Sequence, residues 1–289
     1  MEVVRLLLER GADATGQDEH KRTPLHGASG VEVAQLLEHD ADATAQDDNE
    51  RIPLHGVSSA EAARLLLKHG ADATAQDNNK RAPLHEASSA EVARLLLEHG
   101  AEVTAQDAQR RTPLHKPRSR EVARLLLERG ADAAARDEQQ RTLLHLARNI
   151  EITRPLLEHG ADATAEDIHK RTLLHDTLSV EVAQLLLKHG ADATAQDEQK
   201  RTPMHEASGL FWGGVEVTRL LLEHGADATA RDEYKRTPLH EARSVEVVRL
   251  LEHGADASAE NNMNQTPLQE TLANGRHGIM QFLSRHGVE

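Results

Sequence analysis

The sequence contains no cysteine, which excludes disulfide staples and thiolate metal sites and suits a reducing compartment. Aromatics are nearly as scarce: Phe211, Trp212, Tyr234 and Phe282 are the four rings in 289 residues. A thick globular core draws much of its buried area from rings, each worth ~150–250 Å². An apolar content of Leu, Ala and Val points instead to thin, closely packed helical layers. Basic residues fall short of acidic ones, 34 against 48, for a formal net charge of −14. Nucleic acid and anionic membranes both require a basic face, so neither is expected as a partner. No apolar run approaches the ~18 residues that cross a bilayer. The opening MEVVRLLLER also lacks the basic-then-apolar layout of a secretion signal. The expectation is a soluble intracellular protein, cytoplasmic or nuclear.

What the chain does have is repetition. TPLH or a near variant ends at His26, His55, His85, His115, His145, His175, His205 and His240, and again as TPLQ at Gln269. The spacings are 29, five of 30, then 35 and 29. A second phrase, close to LLLEHGADATAQD, keeps step with it, as in Leu65–Asp77 and Leu185–Asp197. Within one unit, residues 72–102, Thr-Pro-Leu-His opens a short helix. Thr is expected to cap free N–H groups there, and Pro at the first helical position loses no needed bond. Ile52 and Ala82 replace that Thr, an expected loss of about 1 kcal/mol each. The first helix is expected near Pro83–Ala87. Ser89 caps a second, Ala90–His99, with Val92, Leu95 and Leu96 on helical spacing. Helices this short cannot bury an apolar side alone, so neighbouring units must stack.

TPLHxA followed by LLLxxGAD, repeated in register, resembles the ankyrin repeat family over essentially the whole chain. The resemblance implies an all-α solenoid of stacked helix-turn-helix units with hairpin-like connections. It also implies partner proteins bound along the hairpin edge and the concave face of the first helices. On this reading residues 1–289 are a single array: a partial repeat at 1–22, eight repeats over 23–265 and a C-terminal capping repeat at 266–289. The chain departs from the family in three ways. The usual period is ~33 residues, and the shorter unit here should trim the first helix to about one and a half turns. The turn slot three residues after the hairpin Asp, normally Gly, holds Lys21, Glu50, Lys80, Arg110, Gln140, Lys170, Lys200, Lys235 and Asn264. A positive φ there would cost on the order of 1 kcal/mol per residue. Lys116-Pro117 and Pro155 interrupt helices, so residues 115–160 are expected to be the weakest joint. At the start, MEVVRLLLER is a second helix with no first helix before it, which leaves an apolar side open and suggests a longer parent protein.

Site chemistry is sparse. Of 19 histidines, eight belong to the TPLH phrase and eight end second helices. Like histidines then lie ~8–10 Å apart, too far to share one ion whose ligands each sit at ~2.0–2.1 Å. HEASS at His85, HEASG at His205 and HEARS at His240 lack the second His of a zinc protease. No phosphate-binding loop or nucleophile elbow is present. Neither catalysis, nor a cofactor, nor a metal is expected. An Arg column, from Arg22 and Arg51 to Arg236, follows an Asp column by four residues. Those arginines are expected to pair with carboxylates of their own or the next hairpin, including the Asp of GAD. The position after His should face the groove; it carries Glu86, Asp176, Glu206, Glu241 and Glu270, interrupted by Gly27, Gly56, Lys116 and Leu146. That acidity would favour a basic segment of a partner. The long spacing holds GLFWGG, an inserted loop whose Leu210, Phe211 and Trp212 either fold back or wait for a partner, and Tyr234 is a further candidate for partner contact. The expected function is a non-enzymatic protein-interaction scaffold, monomeric unless part of a longer chain. The alternative is a sensor or regulatory array restraining an attached effector domain.

Overall fold

The computed structural model describes residues 2–147, 149–210, 213–251, 254–276, 279 and 281. The chain divides into two compact units, Met1–Glu138 and Gln139–Glu289. Each is built from short helices, with no strand among the described residues. In the first unit the second helices Glu2–Glu9, Gly30–Glu38, Ala60–Lys68, Ala90–Glu98 and Arg120–Glu128 pack one against the next. The turns Pro24–His26, Pro53–Gly56, Pro83–Glu86 and Pro113–His115 stack in the same order. In the second unit Ile150–Glu158, Val180–Lys188, Gly214–Glu223 and Val245–Leu251 form one layer. Leu143–Leu146, Leu173–Asp176, Pro203–Ser208, Pro238–Glu241 and Pro267–Ala273 form the other.

The shortened repeat removes residues from the first helix, and more of it than the sequence suggests. In the first unit each first helix is a single 3-10 turn of three or four residues, so Pro83–Glu86 replaces the expected Pro83–Ala87. Where the chain restores residues the helix regrows, to six in Pro203–Ser208 and seven in Pro267–Ala273. Two leucine columns fill the space between layers without rings. The TPLH column runs through Leu25, Leu54, Leu84 and Leu114, and the second-helix column through Leu66, Leu96 and Leu126, all at most 2% exposed. Full burial of each contributes ~1.5–3 kcal/mol. The second-helix caps form as expected, with Ser59, Ser89, Ser119, Asn149, Ser179 and Ser244 accepting from the residue three ahead. Pro155 does not break its helix: Ile150–Glu158 continues through it, and His159 N still bonds Pro155 O at 3.0 Å.

The expected role of Thr at the head of TPLH is corrected by the structure. At Thr23, Thr112, Thr142, Thr172, Thr202 and Thr237 the hydroxyl caps no helix N–H, whereas Thr266, which heads TPLQ, accepts from Gln269 N as expected. The histidine ring does the work instead. Nδ1 of His26, His55, His85, His115, His145, His175, His205 and His240 accepts from the backbone N–H three residues back, at 3.0–3.2 Å. Because that bond uses main chain, Ile52 and Ala82 keep it, and the expected loss of a cap there does not arise. With Nδ1 an acceptor, the ring proton sits on Nε2. It is donated to a carbonyl of the following repeat: His26 to Arg51 O, His55 to Arg81 O, His85 to Arg111 O, all at 2.9–3.1 Å. In the second unit His145, His175, His205 and His240 reach Arg171, Arg201, Arg236 and Gln265 in the same way at 3.1–3.2 Å. Each bond ties one repeat to the next.

The hairpins supply a second tie. Asp77 Oδ1 accepts from the N–H of Asn79 and of Arg81, and the pattern recurs from Asp18 to Asp232. Backbone bonds then join successive tips: Asp48 N to His20 O, Asn78 N to Asn49 O and Ala108 N to Asn79 O in the first unit. Glu198 N to His169 O, Glu233 N to Gln199 O and Asn262 N to Tyr234 O follow in the second. This geometry holds the turn slot left-handed whatever residue occupies it. Lys21, Glu50, Lys80, Arg110, Gln140, Lys170, Lys200, Lys235 and Asn264 all have φ between 56° and 59°. The hairpin therefore keeps its shape against side-chain strain. Replacing Lys200 by Gly is expected to stabilise the protein by roughly 1 kcal/mol in equilibrium urea unfolding, and Lys200→Ala to leave it near wild type.

Burial lowers the pKa of His55, His85, His175, His205 and His240. The folded rings stay neutral, whereas the unfolded chain takes up protons below about pH 6.5. Their contribution to stability is thus complete above that pH and is lost as pH falls toward the folded values, by up to about 1.4 kcal/mol per pH unit for each ring. Thermal melting should shift steeply downward between about pH 7 and 5. The same scan on His205→Gln should have a shallower slope.

Candidate functional site

Three surfaces combine exposure with chemistry. The first is the strip formed by the residue after each His and the guanidiniums beside it. In the second unit this strip is an alternating ladder. Arg171 meets Asp176 of its own repeat at 2.6 Å, and Asp197 and Glu206 of the next at 3.3 and 3.0 Å. Glu206 also receives Arg201 at 3.2 Å, Arg201 reaches Glu241 at 3.0 Å, and Arg236 joins Glu241 at 2.9 Å and Asp232 at 2.9 Å. Burial lowers the pKa of the Arg171 guanidinium, but its bonds and charges to Asp176 and Glu206 outweigh that and leave it raised. Burial pushes Glu206 up, and the two arginines more than reverse it. Asp176, Glu206 and Glu241 are therefore not the open acids that their sequence positions suggested. Glu270 accepts from Asn261 Nδ2 at 3.0 Å. In the first unit Glu86 lies between Arg81, at 2.7 Å, and Arg118.

The Arg column pairs mostly as expected, with its own hairpin Asp: Arg22 with Asp18, Arg81 with Asp77, Arg111 with Asp107. Asp18, held by the Arg22 side chain and backbone and by the His20 N–H, falls to about 2. Burial raises Asp77, yet the N–H groups of Arg81 and Asn79 and the Arg81 charge bring it below the usual carboxylate range. The GAD aspartates do something else: Asp72 and Asp192 accept from the N–H and hydroxyl of Thr74 and Thr194, closing a local turn. Two substitutions at the strip open clefts in the first unit. Lys116 and Arg118 line one of about 210 Å³ with Arg81, Glu86 and Arg111. Arg22, Arg51 and Gly56 line another of about 380 Å³.

The second surface is the hairpin edge. Tyr234 is 52% exposed, with the Arg236 guanidinium 5.2 Å from its ring centroid. Met263, in the same slot of the following hairpin, is 72% exposed. Elsewhere that slot holds His20, Asn49, Asn79, Gln109, Gln139, His169 and Gln199. The register of the hairpins, aligned at their Asp or Asn, puts Met263 in the same slot as Tyr234, a signal that the count of aromatics does not carry.

The third surface surrounds the inserted loop. Leu210 is half-buried and Leu178 is 63% exposed; Phe211 and Trp212 lie outside the described residues. The flanking glycines have a plain cause. Gly213 has φ 75° and caps Gly214–Glu223, and a Cβ on Gly214 would stand 2.5 Å from Ala207 O. The loop can re-enter the second helix only with no side chain at that point.

Second-helix histidines end their helices locally: the ring Nδ1–H of His99, His159, His189 and His224 donates to the carbonyl four residues back. Among the described residues no group of three or more His, Asp or Glu side chains could hold a metal ion. No described helix is long and apolar enough to cross a membrane.

No curated protein matches the sequence. The family model for ankyrin repeats, which spans three copies, matches residues 29–107 and 174–261, more than half of the chain. Together with the stacked two-helix repeats and the hairpins that join them, this places the chain in the ankyrin repeat family, whose members generally mediate protein–protein interaction.

Proposed function

We propose that the chain is a non-enzymatic scaffold that holds a partner protein along the hairpin edge and the adjoining groove strip. The observation that carries this reading is the exposed pair Tyr234 and Met263 on neighbouring tips, where the other repeats are polar. Exposed aromatic and Met side chains on a rigid edge are the usual anchors of an interface. Leu210, Phe211 and Trp212 extend the apolar contact on the inserted loop. Along the strip of the second unit Asp176, Asp197, Glu206, Asp232 and Glu241 meet three guanidiniums, and Glu270 adds a further carboxylate held by the Asn261 amide. The remaining negative charge suits a basic segment of the partner at that end. The absence of cysteine is in keeping with a reducing, intracellular compartment.

A second reading rests on the first helix, Glu2–Glu9. Leu7 is 54% exposed, whereas Leu66 at the same position of Ala60–Lys68 is buried, and Leu6 is 52% exposed where Leu65 is half-buried. An attached domain seated on that strip would be restrained by the array, as in a regulatory module.

Quantitative affinity capture with the intact chain tests the main reading. Tyr234→Ser/Met263→Ser and Phe211→Ala/Trp212→Ala should each weaken the saturable protein ligand by about tenfold or more, the effect of losing a hot-spot contact. Melting temperatures should stay at wild type. Equal capture by both variants would remove the assigned contacts, and no saturable protein ligand at all would remove the scaffold reading.

A further inference from the structure

The groove strip contains its own template for a missing ligand. In the second unit Glu206 lies between the arginine of the preceding repeat, Arg171, and that of its own, Arg201. Glu241 stands in the same relation to Arg201 and Arg236. The residue after the TPLH histidine thus supplies a carboxylate that bridges two successive guanidiniums. In the first unit the corresponding residue between Arg22 and Arg51 is Gly56. There is no side chain to bridge, and a cleft of about 380 Å³ opens, lined by Arg22, Arg51, Gly56, His20, Asp47 and Asn49 among others.

The charges around this cleft are specific. Arg22 is paired with Asp18 at 2.7 Å. Asp47 uses one carboxylate oxygen on the N–H groups of Asn49 and Arg51. The Arg51 guanidinium, half-buried, touches only the carbonyl of its own His55 at 3.4 Å, and no described carboxylate is within ion-pair reach of it. Room is not limiting: a Cβ on Gly56 would meet nothing closer than His26 O at 3.6 Å, an ordinary contact. A half-buried guanidinium facing an open cleft is a carboxylate site, because the fork geometry matches two oxygens and partial burial limits screening.

We propose that this cleft receives a glutamate or aspartate side chain of a bound protein segment, which takes between Arg22 and Arg51 the place that Glu206 and Glu241 hold in cis further along the chain. The site rests on the protein-binding reading above but lies on different residues. The first unit therefore selects an acidic residue, whatever the second unit selects.

The test uses the full chain and the arginine side-chain Nε–H signals in heteronuclear NMR. Tetraglutamate peptide, tetralysine peptide and inorganic phosphate are each titrated at low salt. Tetraglutamate should move the Arg51 signal, and to a smaller extent that of Arg22, saturably and reversibly with salt, while tetralysine leaves both unmoved. Gly56→Glu fills the cleft from within and should weaken tetraglutamate binding by roughly tenfold. It should also shift the Arg51 signal in the absence of peptide. Arg51→Gln, which leaves the histidine–carbonyl bond in place, should weaken it to a similar extent and serves if Gly56→Glu folds poorly. Saturation by phosphate as readily as by tetraglutamate would reduce the cleft to a general anion site and overturn the proposal. So would an Arg51 signal that tetraglutamate does not move, or binding unaffected by both variants. A chain that binds tetraglutamate here yet retains no protein on affinity capture would keep this site and lose the scaffold.

Discussion

The structure depends on one hydrogen bond, from the neutral TPLH imidazole to the carbonyl of the hairpin arginine one repeat on. The bond works only in one tautomer, and the repeat enforces it by placing a backbone N–H against Nδ1. One ring therefore closes its own first turn and fastens the next hairpin. In a chain most of whose first helices are single turns, propensity contributes almost nothing, since a helix nucleus is itself unfavourable. Contact with the neighbouring repeat must hold each turn, and this bond directs that contact. Burial keeps the ring neutral, so the interaction that orders the stack is also the one most sensitive to mild acid.

The same bond determines the electrostatics of the groove strip. By fixing the carbonyl of the hairpin arginine, it fixes where the guanidinium emerges, five residues before the position that follows the next His. That position then decides the local charge. A glutamate bridges two arginines, as at Glu206 and Glu241; a glycine leaves them apart, as at Gly56; a lysine adds to them, as at Lys116. A net charge of −14 is therefore a poor guide to any one stretch of this surface. Long-range steering follows the total, but recognition at a cleft follows the few groups within a Debye length of about 10 Å.

Much of the fold could be read from the spacing of TPLH and LLLxHGAD, because leucines at 30-residue intervals with caps and stops in register leave few alternatives to stacking. The errors lie where one residue has two physical roles. Thr23 resembles a helix cap by type and position, yet His26 offers a ring nitrogen to the same end of the turn and uses the backbone rather than the hydroxyl. Lys80 and Lys200 look wrong for a left-handed turn, yet two bonds to an aspartate and one to a neighbouring tip outweigh the strain. Glu206 and Glu241 read as open acids because the sequence does not state which arginine side chains cross from one repeat to the next. Met263 was legible in the register but not in the composition, and Gly214 has its reason in Ala207, seven residues away.

This division of labour explains why near-identical repeats can differ in what they bind. Changing a buried leucine such as Leu126 to Ala would cost ~2–5 kcal/mol, and the histidine column is constrained by tautomer and geometry together. The residue after the histidine lies outside both. Its ion pairs are partly solvated, each worth ~0–1 kcal/mol, so Gly, Glu, Lys or Leu can stand there with little effect on stacking. The guanidiniums beside it, however, stay where the backbone puts them. Substitution at that one position therefore alters the charge and shape of the groove while the scaffold stays as it is, and recognition can diverge from repeat to repeat without a change of fold.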